Sequence, residues 1–100
     1  MRQKDSQMGF VKETIMLYGE NMDQNGTIYV CESGLVIKDK GETIKAPFDY
    51  VKLLEKVGEL PLGKVAVEAQ VFDQMGTKFD LALNMAGQHL EVLKRLCPKA

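Results

Sequence analysis

The sequence predicts a mainly β (α+β) domain: a bent antiparallel sheet or small barrel of six to seven strands, capped by a C-terminal α-helix. Turn-forming residues break the chain at short intervals, at Asn25-Gly26, Asp39-Lys40-Gly41, Gly58, Pro61 to Gly63 and Met75-Gly76. Apolar and polar side chains then alternate from Val65 to Met85, as they do in half-buried strands. After Asn84 the apolar spacing lengthens to that of an amphipathic helix.

At 100 residues, 45% of them hydrophobic and 27% charged, the chain has the apolar content for one core and is too short for two. Residues 1–9 are mostly polar and are expected to be a flexible N-terminal segment, with a single domain over 10–100. The first nine residues also lack the apolar stretch of a secretory signal, and no apolar run approaches the roughly 20 residues that span a bilayer. A cytoplasmic protein without a transmembrane segment is the expectation.

The first predicted hairpin joins Thr14–Met22 to Thr27–Ser33. Asn25-Gly26 is placed in a tight turn there, because both residues tolerate positive φ. The segment from Asp49 to Gly58 reads equally as strand or helix: Val51, Leu54 and Val57 recur at helical spacing, while Phe48, Tyr50 and Val51 suit a strand. Val65, Val67, Ala69 and Val71 line one face of the next strand. After the turn at Asp73 to Gly76, Phe79, Leu81, Leu83 and Met85 line one face of another. The closing helix carries Ala86, Leu90, Leu93 and Cys97 on one stripe, with Asn84 as its expected N-cap and Pro98 as its stop.

The residues that chemistry would require are sparse. His89 is the only histidine, so a nucleophile with an imidazole base is poorly supplied, and a half-exposed helical side chain is the simpler reading. Cys31, His89 and Cys97 together fall short of the four ligands of a structural zinc site, and the cysteines read as reduced, buried thiols. No phosphate-cradling glycine motif occurs, and Asp23 to Thr27 lacks the carboxylate spacing of a calcium loop. Thirteen basic against fourteen acidic residues give a formal charge of −1, and the strand aromatics Tyr18, Tyr29, Phe72 and Phe79 lack a basic stripe beside them. The expectation is a non-enzymatic chain with no cofactor, no metal and no nucleic-acid partner.

The stretch from Gly26 through Thr27, Ile28, Tyr29, Val30 and Cys31 to Gly34, Leu35, Val36 and Ile37 resembles the second and third strands of pleckstrin-homology-like domains, including the GRAM type. Ile44-Lys45-Ala46-Pro47-Phe48-Asp49-Tyr50-Val51 is similar to the stretch that follows in the same group. The resemblance covers roughly residues 13–97 and implies that Tyr50 to Val57 is a strand of a bent barrel, with the last helix plugging one end. A weaker similarity links the chain to an archaeal taxis-adaptor family.

In pleckstrin-homology-like domains the resemblance implies peptide binding or inositol-phosphate binding, the latter through bases around the first hairpin loop. Here that loop, Gly19 to Gly26, holds two acids and no base, which disfavours a polyphosphate. The leading expectation is therefore a protein-interaction or adaptor module, self-association included, acting through a sheet edge or the groove beside the terminal helix. The alternative is anionic-lipid or headgroup binding through the turn that carries Lys38, Lys40 and Lys45. Asp39 and Glu42 interrupt that basic group, so peripheral membrane contact is disfavoured.

Overall fold

A computed structural model describes residues 4–19 and 23–100. Among the described residues eight antiparallel strands form two sheets, and one helix follows them. The first sheet is a meander of β1 (Lys4–Asp5), β2 (Gly9–Tyr18), β3 (Gln24–Cys31), β4 (Gly34–Asp39) and β5 (Glu42–Pro47). A 3-10 turn at Phe48–Tyr50 carries the chain to the second sheet, made of β6 (Val51–Glu59), β7 (Lys64–Phe72) and β8 (Lys78–Ala86). The helix α1 (Gly87–Leu96) follows directly. The expected class, mainly β with a terminal helix, is the one observed.

Alternation decides which side of each strand is buried. Ile15 and Leu17 on β2, Ile28 and Val30 on β3, Leu35 and Ile37 on β4, and Ile44 and Ala46 on β5 all turn into one interior. Val65, Val67, Ala69 and Val71 meet them from β7, and Leu83 and Met85 from β8. The two sheets are tied at one end, where the Asn84 side chain donates to the Tyr18 carbonyl at 3.2 Å. Leu90 and Leu93 of α1, with Cys97 just beyond it, close the remaining side. Each of the two leucines gains about 2 kcal/mol from leaving water. Among the described residues no polar or charged residue is buried, so apolar packing carries the interior.

Several local expectations are corrected. Asn25 and Gly26 are not a turn: both lie within β3, where Gly26 pairs with Leu17 on one side and Asp39 on the other. A Cβ on Gly26 would collide with the Lys38 carbonyl, so glycine serves close strand approach there rather than positive φ. Positive φ is used instead between β4 and β5, at Lys40 (φ 51) and Gly41 (φ 84), where Asp39 and Glu42 pair across a two-residue turn. The far end of the predicted first strand, Met22, lies outside the described residues.

The segment 49–58 resolves as a strand, and its helical look has a physical cause. Register shifts at Lys52 and Val57 each insert one extra residue opposite β7. Val51 (opposite Val71) and Leu54 (opposite Ala69) therefore both turn inward at a spacing of three, although strand parity alone would separate them. Asn84 is not the helix cap. Strand β8 continues to Ala86, the helix starts without a side-chain cap, and the Asn84 amide is committed to Tyr18.

Residues 4–9, expected to belong to a flexible segment, fold back along β2 through Lys4↔Phe10 and Asp5↔Gly9. Met8 is 1% exposed and forms a second small core with Cys31 and Val36, on the face of the first sheet opposite the main interior. The Asp5 carboxylate accepts the backbone N–H groups of Gln7 and Met8, each at 2.9 Å, and so fixes this turn.

Candidate functional site

The three lysines singled out from the sequence do not form one basic cluster. Lys38 and Lys45 share the outer face of the first sheet, since Lys38 pairs with Thr43 and Lys45 with Val36. Lys45 Nζ lies 2.9 Å from Asp5 Oδ1, so its charge is neutralised by the N-terminal segment. Lys40 sits at the turn tip with Asp39 and Glu42 beside it, and shares a depression of about 210 Å³ with Asp80. Burial raises the Asp39 carboxyl above its ordinary value, Lys40 opposes that rise and Glu42 adds to it. The tip therefore presents mixed charge.

Lys38 instead joins Lys4, which no pattern in the sequence marks. The two line an open groove of about 320 Å³ together with Asp5, Tyr29, Cys31 and Val36. Lys4 Nζ stands 5.4 Å from the Phe10 ring centroid and Lys38 Nζ 5.6 Å from that of Tyr29, both within cation–π range. Burial works to raise the Asp5 carboxyl, but the hydrogen bond from Lys45 and the two backbone amides outweigh it and hold the group below its ordinary value. The Cys31 thiol is pushed up by burial and by the nearby Asp5 and Glu32 carboxylates, so it is a poor nucleophile. Sequence alone could not reveal this groove, because a two-residue strand such as β1 has no period to detect.

A second surface lies along the other sheet. Strand β6 is the edge of β6-β7-β8: it pairs with β7 on one side and has no strand on the other among the described residues. Its regular stretch between the two bulges is Leu53 to Lys56. Tyr50, 40% exposed, stands at its entrance, and with Lys52, Phe72, Asp73 and Gly76 it walls a recess of about 290 Å³. The hairpin tip beside the recess is held by Asp73, whose Oδ1 accepts the backbone N–H groups of Met75 and Thr77 at 2.9 Å each. Met75 is thereby presented to solvent at 89% exposure.

Cys97 and His89 line neither of these surfaces. Cys97 is 1% exposed, and burial together with the Asp49 carboxylate pushes its thiol up to about 11. His89 Nδ1 is buried with no hydrogen-bond partner among the described residues, and the ring is only partly covered. Among the described residues no group of three metal-ligating side chains comes together, and no helix is long and apolar enough to cross a membrane. No known protein family, curated protein or solved structure matches the chain.

Proposed function

We propose that the chain is a non-enzymatic protein-interaction or adaptor module on a pleckstrin-homology-like scaffold, taking an extended segment of a protein partner along β6. The order of elements supports the scaffold reading: four long antiparallel strands, β2 to β5, then the three-stranded sheet, then the helix packed on it. The observation that carries the function is the edge of β6, without a partner strand among the described residues and entered past Tyr50 and the recess against Phe72. Unpaired edge N–H and C=O groups give an extended chain its main-chain hydrogen bonds, and a pocket at one end selects a side chain.

The occupant is a partner segment rather than a second β6. Exposed Lys52, Glu55, Lys56 and Glu59, with a bulge at each end of the regular stretch, spoil the ladder that two identical edges would make. A short foreign strand needs only Leu53 to Lys56. Headgroup binding through the Lys38 to Lys45 turn is disfavoured by the Lys45–Asp5 pair and by the acids around Lys40.

The test is a selection from a random peptide library against the immobilised chain, followed by affinity measurement on variants. Losing one aromatic wall of the recess should weaken selected peptides roughly tenfold in Tyr50→Ala. Peptides that bind Tyr50→Ala as well as the native chain would place recognition elsewhere. A concentration-dependent dimer in sedimentation, abolished by Leu53→Pro, would favour self-association instead.

A further inference from the structure

We propose that the outer-face groove of the first sheet binds a phosphate monoester between Lys4 and Lys38. This lies on a different face from the β6 edge and does not depend on that reading. Each lysine lines the same groove, and neither makes an ion pair with a carboxylate among the described residues. The groove's own acid is already committed: Asp5 accepts two backbone amides and the Lys45 ammonium. The nearby Glu32 is occupied as well, its Oε1 accepting the Phe10 N–H at 2.8 Å.

Two cations without an ion-pair partner among the described residues therefore line one concavity, while Asp5 is tied to Lys45 and Glu32 to the Phe10 N–H. Neighbouring rings bias the positions of the two lysines: Lys4 rests over Phe10 and Lys38 over Tyr29. The pairing of β1 with β2 fixes the backbone of Lys4, and the ladder between β3 and β4 fixes that of Lys38. A phosphate offers several acceptor oxygens and up to two negative charges, so it can take a charge-assisted hydrogen bond from both banks at once. A volume of about 320 Å³ suits a small ligand. Among the described residues no large exposed apolar side chain lines the groove to enter a bilayer, which favours a soluble monoester over a lipid headgroup.

The experiment is an amide chemical-shift titration of the full chain with inorganic phosphate and glycerol 3-phosphate. In parallel, the chain is sedimented with phosphatidylcholine vesicles containing phosphatidic acid. Saturable shifts at Tyr29, Cys31, Val36 and Lys38 are expected with the soluble phosphates. The double variant Lys4→Gln with Lys38→Gln should weaken binding roughly tenfold or more, since two charge-assisted contacts are lost. Lys40→Gln should leave it unchanged. Binding to phosphatidic acid vesicles without response to soluble phosphate, lost in the same double variant, would support the site with a lipid as the source. Shifts outside the groove, equal weakening by Lys40→Gln, or no saturation in either arm would overturn it.

Discussion

Replacing Gly26 by alanine should be among the most damaging single-methyl changes available in this chain. Gly26 sits between two strands, opposite Leu17 of β2 and Asp39 of β4. A Cβ there would come nearer to the Lys38 carbonyl oxygen than the 3.0 Å that real Cβ atoms essentially never breach, and would also press on Asp39 Cα and Leu17 Cδ1 at 3.3 Å each. The closest of these atoms is backbone, so no rotamer change relieves the clash, and β3 and β4 must part by several tenths of an ångström. Overpacking of this kind costs about 1–3 kcal/mol, and each ladder hydrogen bond lengthened beside it about 1 kcal/mol more. A loss of about 3 kcal/mol is expected, or roughly 15 °C in Tm for a domain of this size. Urea unfolding followed by circular dichroism measures it. Gly26→Asn separates the two accounts of this residue: asparagine tolerates positive φ, so a turn would accept it better than alanine, whereas the observed strand makes it at least as costly. Gly26→Ala within about 0.5 kcal/mol of the native chain, the range of neutral surface changes, or rescue by Gly26→Asn, would refute the reasoning.

Three further outcomes follow from the core and its charges. Leu93→Ala, at a site with no exposure, should cost about 3 kcal/mol in urea unfolding by opening a cavity where the helix packs on the second sheet. Cys97 should resist a thiol reagent at pH 8 until the chain unfolds. Because its folded pKa of about 11 lies above the ordinary 9.0, the stability this thiol contributes is fully present below pH 9.0 and lost as pH rises toward 11, a decline that Cys97→Ala should flatten. Asp5 has the opposite sign: its folded pKa is lowered, so its contribution is present above the ordinary 3.8 and lost as pH falls through the folded value. Acid unfolding of Asp5→Asn should therefore begin from a less stable protein and show a shallower dependence below that point.

Legibility in the sequence followed the regularity of each element. Strands β7 and β8 have no bulges in their shared register, so Val65 to Val71 and Phe79 to Met85 announced their inward faces by simple alternation. Strand β6 did not, because extra residues at Lys52 and Val57 turned a period of two into an apparent helical spacing. Asn25-Gly26 misled for a related reason: glycine marks both positive φ and close backbone approach, and only the neighbouring strand tells them apart. The helix stripe was visible at Leu90, Leu93 and Cys97, yet its start was not, since Asn84 serves a carbonyl 66 residues away.

The candidate site was legible only in part. Lys38 was singled out from the sequence, but its place beside Lys4 depends on a two-residue strand, and the pairing of Lys45 depends on Asp5. Charge counting along the chain grouped Lys38, Lys40 and Lys45 by sequence proximity. The two-residue turn at Lys40 and Gly41 divides them, leaving Lys40 at a tip beside acids while Lys38 and Lys45 share the sheet face.

Amide hydrogen exchange along β6, measured with and without a library-selected peptide, tests the proposed recognition edge most directly. Protection gained by the outward amides within Leu53 to Lys56, with β5 and the outer-face groove unchanged, is the predicted result. Protection gained on β5 or across Tyr29 and Val36, with β6 exchanging as in the free chain, would contradict it.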